Sequence, residues 1–320
     1  MGEFDLIRRH FMRAGAAPGV VLGIGDDCAL IPPRPGHQLA ISSDMLVEGT
    51  HFFPDADPMA LGHKALAVNL SDLAAMGARP LGFTLAISLP RIDDAWLSSF
   101  AGGLFALANL YNCPLVGGDT TRGPLNLCIT VFGEVAPEQA LRRDAARDGD
   151  DLWLSGRTGE ARLALERLRG TAWALSGDID LAACRERLER PTPRLSLGVS
   201  LAGLAHAAID LSDGLAGDLG HVLAASGLGA DIELSAMPVA PSLAGLSAER
   251  RHLCLFHGGD DYELLFTAAP SAREAVVRAA EDCGTPIHRI GRLTTAKGLR
   301  LTGRDGKVST LDAQGFDHFG

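Results

Sequence analysis

No CxxC pair occurs among the six cysteines, Cys28, Cys113, Cys128, Cys184, Cys254 and Cys283, which speaks against a zinc site and a dense disulfide framework alike. Scattered in this way they read as core thiols in a reducing compartment. No Lys/Arg-rich run offsets the formal net charge of -10, so the chain is not a general nucleic-acid binder, and an anionic substrate would need metal ions as intermediaries. No stretch is long and apolar enough to span a membrane, and Glu3-Phe-Asp-Leu-Ile-Arg-Arg-His-Phe11 lacks the unbroken apolar core of a signal peptide. The expected compartment is the cytoplasm. The familiar nucleotide signatures are missing too. There is no GxxxxGK[ST], Gly23-Ile-Gly-Asp-Asp-Cys28 lacks the third glycine of a dinucleotide fingerprint, and the protein-kinase HRD and DFG sets are absent.

What is present is acid placed beside glycine and serine. Leu22-Gly-Ile-Gly-Asp-Asp-Cys-Ala-Leu30 puts Asp26 and Asp27 side by side on a glycine-flanked turn, and Asp44, Asp72, Asp119, Asp210, Asp213, Asp260 and Asp261 follow at the edges of apolar runs. Neighbouring carboxylates repel and lose hydration on burial, so a packed chain holds them together only with donors or a divalent cation nearby. With 320 residues, 47% of them apolar, the chain is long enough for two packed domains.

The strands and helices place these acids. Gln38 to Asp44 alternates as a strand ending in two hydroxyls and a carboxylate, and Asp57-Pro58 opens a helix running to Gly77 in which Asn69 and Asp72 share a face beside an apolar stripe. Leu81 to Leu89 reads as a strand, Asp93 to Tyr111 as a helix, and Pro114 to Asp119 as a short strand breaking into a Gly-Gly turn. Leu125 to Val135 completes a first sheet, and the polar Arg142 to Gly149 stretch sets the domain boundary, giving domains 1–141 and 142–320. In the second half Asp151 to Gly156 and Ala207 to Asp210 read as strands. Ser212 or Asp213 would cap the helix that runs to about Ala225.

Carboxylates, hydroxyls and turn carbonyls are hard oxygen donors, which suit Mg2+ and the substrate phosphates it bridges. Each acid alone has an ordinary reading. Asp26 and Asp27 could be a solvated turn, Asp72 a solvated helix residue, Asp210 and Asp213 caps, His51 a loop histidine, Arg143 a linker charge and Phe316 a core plug. Six separate element ends offering carboxylates exceed what turn statistics supply.

Taken in order, Gly23-Ile-Gly-Asp-Asp-Cys-Ala29, Ile41-Ser-Ser-Asp44 with His51, Lys64 to Ala78, Gly117-Gly-Asp-Thr-Thr-Arg-Gly123, Ile209-Asp-Leu-Ser-Asp-Gly214 and Gly258-Gly-Asp-Asp-Tyr-Glu-Leu264 resemble the thiamine-monophosphate kinase family, within the superfamily of aminoimidazole ribonucleotide synthetase. The resemblance runs from Glu3 to Phe319 and implies a two-domain α/β (α+β) fold of mixed sheets with flanking helices, and a homodimer. It implies an ATP/Mg-binding and dimerisation domain first, and a second domain that completes the active site. The implied reaction is transfer of the ATP γ-phosphoryl group to thiamine phosphate with several Mg2+ ions. By position, Asp27, Ser42, Ser43, Asp44, Asp72, Asp119, Asp210 and Asp213 match magnesium sites. Gly118, Asp119, Arg143 and Ser212 match nucleotide contacts, and His51, Asp260 and Phe316 match thiamine phosphate contacts. Two departures stand out: Asp260 replaces the family's glutamate, and Phe316 its usual Trp or Tyr. The acceptor is already an oxyanion, so no catalytic base is assigned. The alternatives are another ATP-dependent enzyme of the superfamily, or a non-catalytic Mg-nucleotide binding protein.

Overall fold

The computed structural model describes residues 3–13, 19–175 and 181–313. The chain forms two compact units, Met1–Leu73 with Ala78–Pro137, and Ala74–Gly77 with Glu138–Gly320. Phe316 lies outside the described residues.

The first elements are α1 (Glu3–Leu6), β1 (Gln38–Val47), α2 (Pro58–Ala75), β2 (Arg79–Leu89), α3 (Asp94–Leu110), β3 (Leu115–Arg122) and β4 (Asn126–Val135). α2 starts where an N-cap aspartate precedes proline: Asp57 Oδ1 accepts the Ala60 N–H at 2.8 Å. Asp93 caps α3 in the same way through the Trp96 N–H, at 3.1 Å. The strands pair in the order β1-β4-β2-β3, antiparallel except for β2 with β3. Side chains alternate across a strand, and one face buries Leu46, Leu127, Ile129, Val131, Phe83 and Leu85. The other face carries Leu39, Ile41 and Met45, exposed at 50%, 59% and 53%, opposite Glu134, Phe132 and Cys128 of β4.

The second unit contains β5 (Asp151–Ser155), α4 (Glu160–Leu168), α5 (Leu181–Glu189), α6 (Leu195–Leu201), β6 (Ala207–Asp210), α7 (Leu215–Ser226) and β7 (Gly229–Glu233). It continues with α8 (Pro241–Ala244), α9 (Ala248–His257), β8 (Leu264–Ala268), α10 (Arg273–Asp282), β9 (Ile287–Thr294), β10 (Gly298–Thr302) and β11 (Val308–Thr310). Its sheet has the order β11-β10-β7-β9-β5-β8-β6. Every residue of β5, β6 and β8 is buried, as expected of strands covered on both faces.

Three local expectations are corrected. β1 runs on to Val47, so Ser43 and Asp44 sit inside the strand on opposite faces and not at its end. Gly117 and Gly118 form no turn: β3 passes through them to Arg122, with the register shift opposite Phe83 and Thr84 absorbing the irregularity. Cys113, Cys184 and Cys254 are buried thiols, but Cys28 is exposed on the Asp26–Asp27 turn. Among the described residues no helix is long and apolar enough to cross a membrane.

Candidate active site

In the first unit the site is built where α2 lies against β1. Ser42 Oγ donates to Asp72 Oδ2, and the Asp44 N–H donates to Asn69 Oδ1 at 3.1 Å. Asn69 is 1% exposed, and its Nδ2 donates to Ala65 O at 2.9 Å. The polar pair at the margin of the helix's apolar stripe thus finds its partners on the strand. Burial, and then the charge of Asp72, push the Asp44 carboxyl up to about 6. Asp44 and Asp72 beside the Ser42 hydroxyl form a hard-oxygen donor set of the kind that could hold a cation.

Ser43 points to the opposite face of the sheet, where its Oγ meets Thr130 Oγ1 at 2.9 Å and donates to Ile129 O at 3.2 Å. Asp119, on β3, pairs with Ala86 and is exposed. Gly118 beside it has φ 149, and a Cβ there would stand 1.9 Å from Leu85 O. Only glycine lets β3 approach β2 so closely. His51 follows β1; its Nδ1 accepts the Val47 N–H at 3.0 Å, which leaves Nε2 as the ring's donor in the neutral form. Asp27 is exposed, its N–H donating to Asp26 Oδ1 at 2.8 Å. Ser42, Asp44 and Asp72 are therefore brought together, whereas Ser43 is turned to the other side of the sheet.

In the second unit Asp210 ends β6, only 5% exposed. Beyond it the Leu211-Ser-Asp-Gly214 loop is stitched to the Asp260-Asp-Tyr-Glu263 segment. The Leu211 N–H donates to Glu263 O at 2.9 Å, the Tyr262 N–H to Leu211 O at 2.8 Å, and the Asp260 N–H to Ser212 O at 2.9 Å. The motif matched to magnesium and the motif matched to thiamine phosphate are thus one backbone-bonded piece. Neither Ser212 nor Asp213 caps α7. Its N-cap is Gly214, and the capping comes from Asp218 inside the first turn, whose Oδ2 accepts the N–H groups of Asp213 and Gly214 at 3.2 and 3.1 Å. Burial first, then Asp210 and Asp213, push Asp218 up to about 8. Sequence reasoning missed this residue; an acid four positions into a helix that follows Ser-Asp-Gly was the signal. Arg143 is exposed in a short 3-10 turn, and its carbonyl accepts Ser226 Oγ at 2.7 Å.

Among the described residues no three or more His, Cys, Asp or Glu side chains converge on a metal-sized gap.

Sequence profiles of the AIR synthase related protein family match the chain, the N-terminal domain over residues 25–135 and the C-terminal domain over residues 148–304. The chain is 46% identical to the thiamine-monophosphate kinase of Escherichia coli (strain K12) over 321 residues, covering 99% of this chain and 98% of that protein. Its fold is similar to that of the crystal structure of thiamine-monophosphate kinase from Stenotrophomonas maltophilia K279a, with a TM-score of 0.84, 46% identity, and coverage of 91% and 93%. A further similar structure, described as "AaThiL complexed with AMPPCP and TMP", has a TM-score of 0.77 at 28% identity, covering 90% of this chain and 89% of that one.

Proposed function

Because the chain belongs to the thiamine-monophosphate kinase family, we propose that it transfers the γ-phosphoryl group of ATP to thiamine phosphate, giving thiamine diphosphate and ADP. The observation that carries this is near-complete coverage at 46% identity, joined to an acid-rich site of the kind such a transfer uses. The acceptor phosphate is an oxyanion at neutral pH, so no side chain need act as base. Catalysis reduces to in-line alignment and to neutralising charge between two phosphate-bearing substrates.

Ser42, Asp44 and Asp72 in the first unit, with Asp27 and Asp119, and Asp210 and Asp213 in the second, are the residues that would hold Mg2+. Bound Mg2+ supplies charge neutralisation and a template for the phosphates. Asn69 fixes the backbone beside Asp44, and Asp218 fixes the turn carrying Asp213, so both carboxylates are presented by bonds made before substrate arrives. Gly118, Arg143 and Ser212 are assigned to the nucleotide, and His51, Asp260 and Phe316 to thiamine phosphate. The exposed apolar face of Leu39, Ile41 and Met45 is where a second copy would pack, since closed two-fold pairing is the commonest way to cover such a face. The compartment we assign is the cytoplasm.

Incubation with ATP, Mg2+ and thiamine phosphate, with thiamine diphosphate read by chromatography, tests the activity. Absence of product with folded protein overturns it.

A further inference from the structure

Asp260 is held in place by its surroundings against its own backbone preference. It and Tyr262 have φ values of 64 and 48, the left-handed region that such residues rarely occupy, and the strain persists only where neighbours over-determine it. Next along the chain is Glu263, which is fully buried. Its carboxylate receives Arg194 through both Nε and Nη2, each at 2.6 Å, together with Arg187 Nη2 and Ser155 Oγ. Ser155 Oγ in turn accepts the Leu264 N–H at 2.8 Å. No slack remains, for a Cβ on Gly156 would lie 2.0 Å from Glu263 Oε1. Burial would push this carboxyl up, yet the bonds and charges of Arg194 and Arg187 hold it below the ordinary range.

A buried charge so fully paired is costly to build and strongly directional once built. Arg187 lies on α5 and Arg194 immediately precedes α6 after the Pro191-Thr-Pro193 breaker, so the clamp reaches into a part of the chain that no active-site motif touches. From Glu263 the backbone bonds through Leu211, Tyr262 and Ser212 lead directly to the Asp260 N–H.

We propose that Glu263, clamped by Arg187 and Arg194, is a positioning residue that keeps residues 260–262 in the strained conformation presenting the Asp260 carboxylate to the cationic thiazolium ring of thiamine phosphate. This rests on the reading of Asp260 as an acceptor contact. The clamp acts through Asp260 and touches no reacting atom. A clamp that served packing alone would lower stability and leave the kinetics of folded enzyme unchanged.

A double-mutant cycle separates the two. Arg194→Lys keeps the charge and loses the two-pronged fork, and it is combined with Asp260→Ala. The KM and calorimetric Kd for thiamine phosphate, and the KM for ATP, are measured on folded enzyme. Arg194→Lys should raise both thiamine phosphate constants between about fivefold and 10²-fold, the scale on which remote misplacement acts. The KM for ATP should change less than either thiamine phosphate constant, because Asp213 is held by Asp218 as well. In the Asp260→Ala background Arg194→Lys should add nothing, the mark of two residues acting as one. Equal fold-changes in both backgrounds, or none in either, overturn the proposal. Glu263→Gln should repeat the pattern; if it does not fold, the Arg194→Lys cycle decides. If Asp260→Ala leaves the thiamine phosphate constants unchanged, Asp260 is no acceptor contact and the proposal falls with it. A wild-type chain that makes no thiamine diphosphate sinks the proposed function itself, a result distinct from any of these ratios.

Discussion

At the scale of single residues, the acids differ in what holds them. Asp72 receives Ser42 Oγ and raises its neighbour Asp44, so Asp72→Asn keeps the shape and removes a charge assigned to holding Mg2+. Turnover should fall roughly 10²-fold or more, the order seen when one preorganised electrostatic group is lost. Unfolding by urea should show stability unchanged or slightly increased; near-normal kcat would make Asp72 a mere helix-face residue. Asp261 presents the opposite case. Its Oδ1 accepts the Gly159 N–H at 2.9 Å, its Oδ2 is buried with no hydrogen-bond partner among the described residues, and burial raises its pKa well above 3.8. The folded state therefore binds a proton that the unfolded chain releases. The associated stability is present below about pH 4 and is lost as pH rises through the folded-state value. Asp261→Asn cannot titrate, so its stability relative to wild type should grow between pH 5 and pH 8, by at most about 1.4 kcal/mol per pH unit. Urea midpoints at three pH values check this, and a constant difference would contradict it.

At the scale of elements, the edge strand β3 depends on one close approach. Gly118→Ala would drive a methyl onto the Leu85 carbonyl at 1.9 Å in a backbone conformation that alanine avoids. A loss of about 2–4 kcal/mol is expected from combined strain and overpacking, together with lost activity because Asp119 is the next residue. Thermal unfolding with less than about 1 kcal/mol of change would show that β3 yields easily. The helix starts were legible in the sequence wherever the signal is local. Asp57 before Pro58, and Asp93 three residues ahead of Trp96, cap as their spacing implies. The start of α7 was misread because its cap comes from within the helix, and several residues of Ser-Asp-Gly offered equivalent local bonds. Gly117-Gly118 was misread as a turn because glycine marks tight approach and reversal alike.

At the scale of the whole molecule, the apolar face of the first sheet argues for a partner copy. Ile41→Glu should give a monomer mass by light scattering with circular dichroism unchanged, because Ile41 is 59% exposed and does not belong to the buried face. A dimer that survives this change at micromolar concentration would move the interface elsewhere. Activity should also require Mg2+ in excess of ATP, since the carboxylates outnumber what one metal-nucleotide complex satisfies. Saturation at one Mg2+ per ATP would count against several ions. By itself the sequence determined the acid-rich chemistry, the alternation of strands and helices, and the family, because side-chain type, apolar period and motif order are written along one dimension. It could not determine which acids meet. Ser42 and Ser43 are adjacent in the chain, yet the pleat sends one to Asp72 and the other to Thr130. Asp260 and Ser212 lie far apart in the chain and share a hydrogen bond. Strand register, the face a helix turns inward and a carboxylate's burial all follow from packing between distant segments, and that packing exists only once the chain has folded.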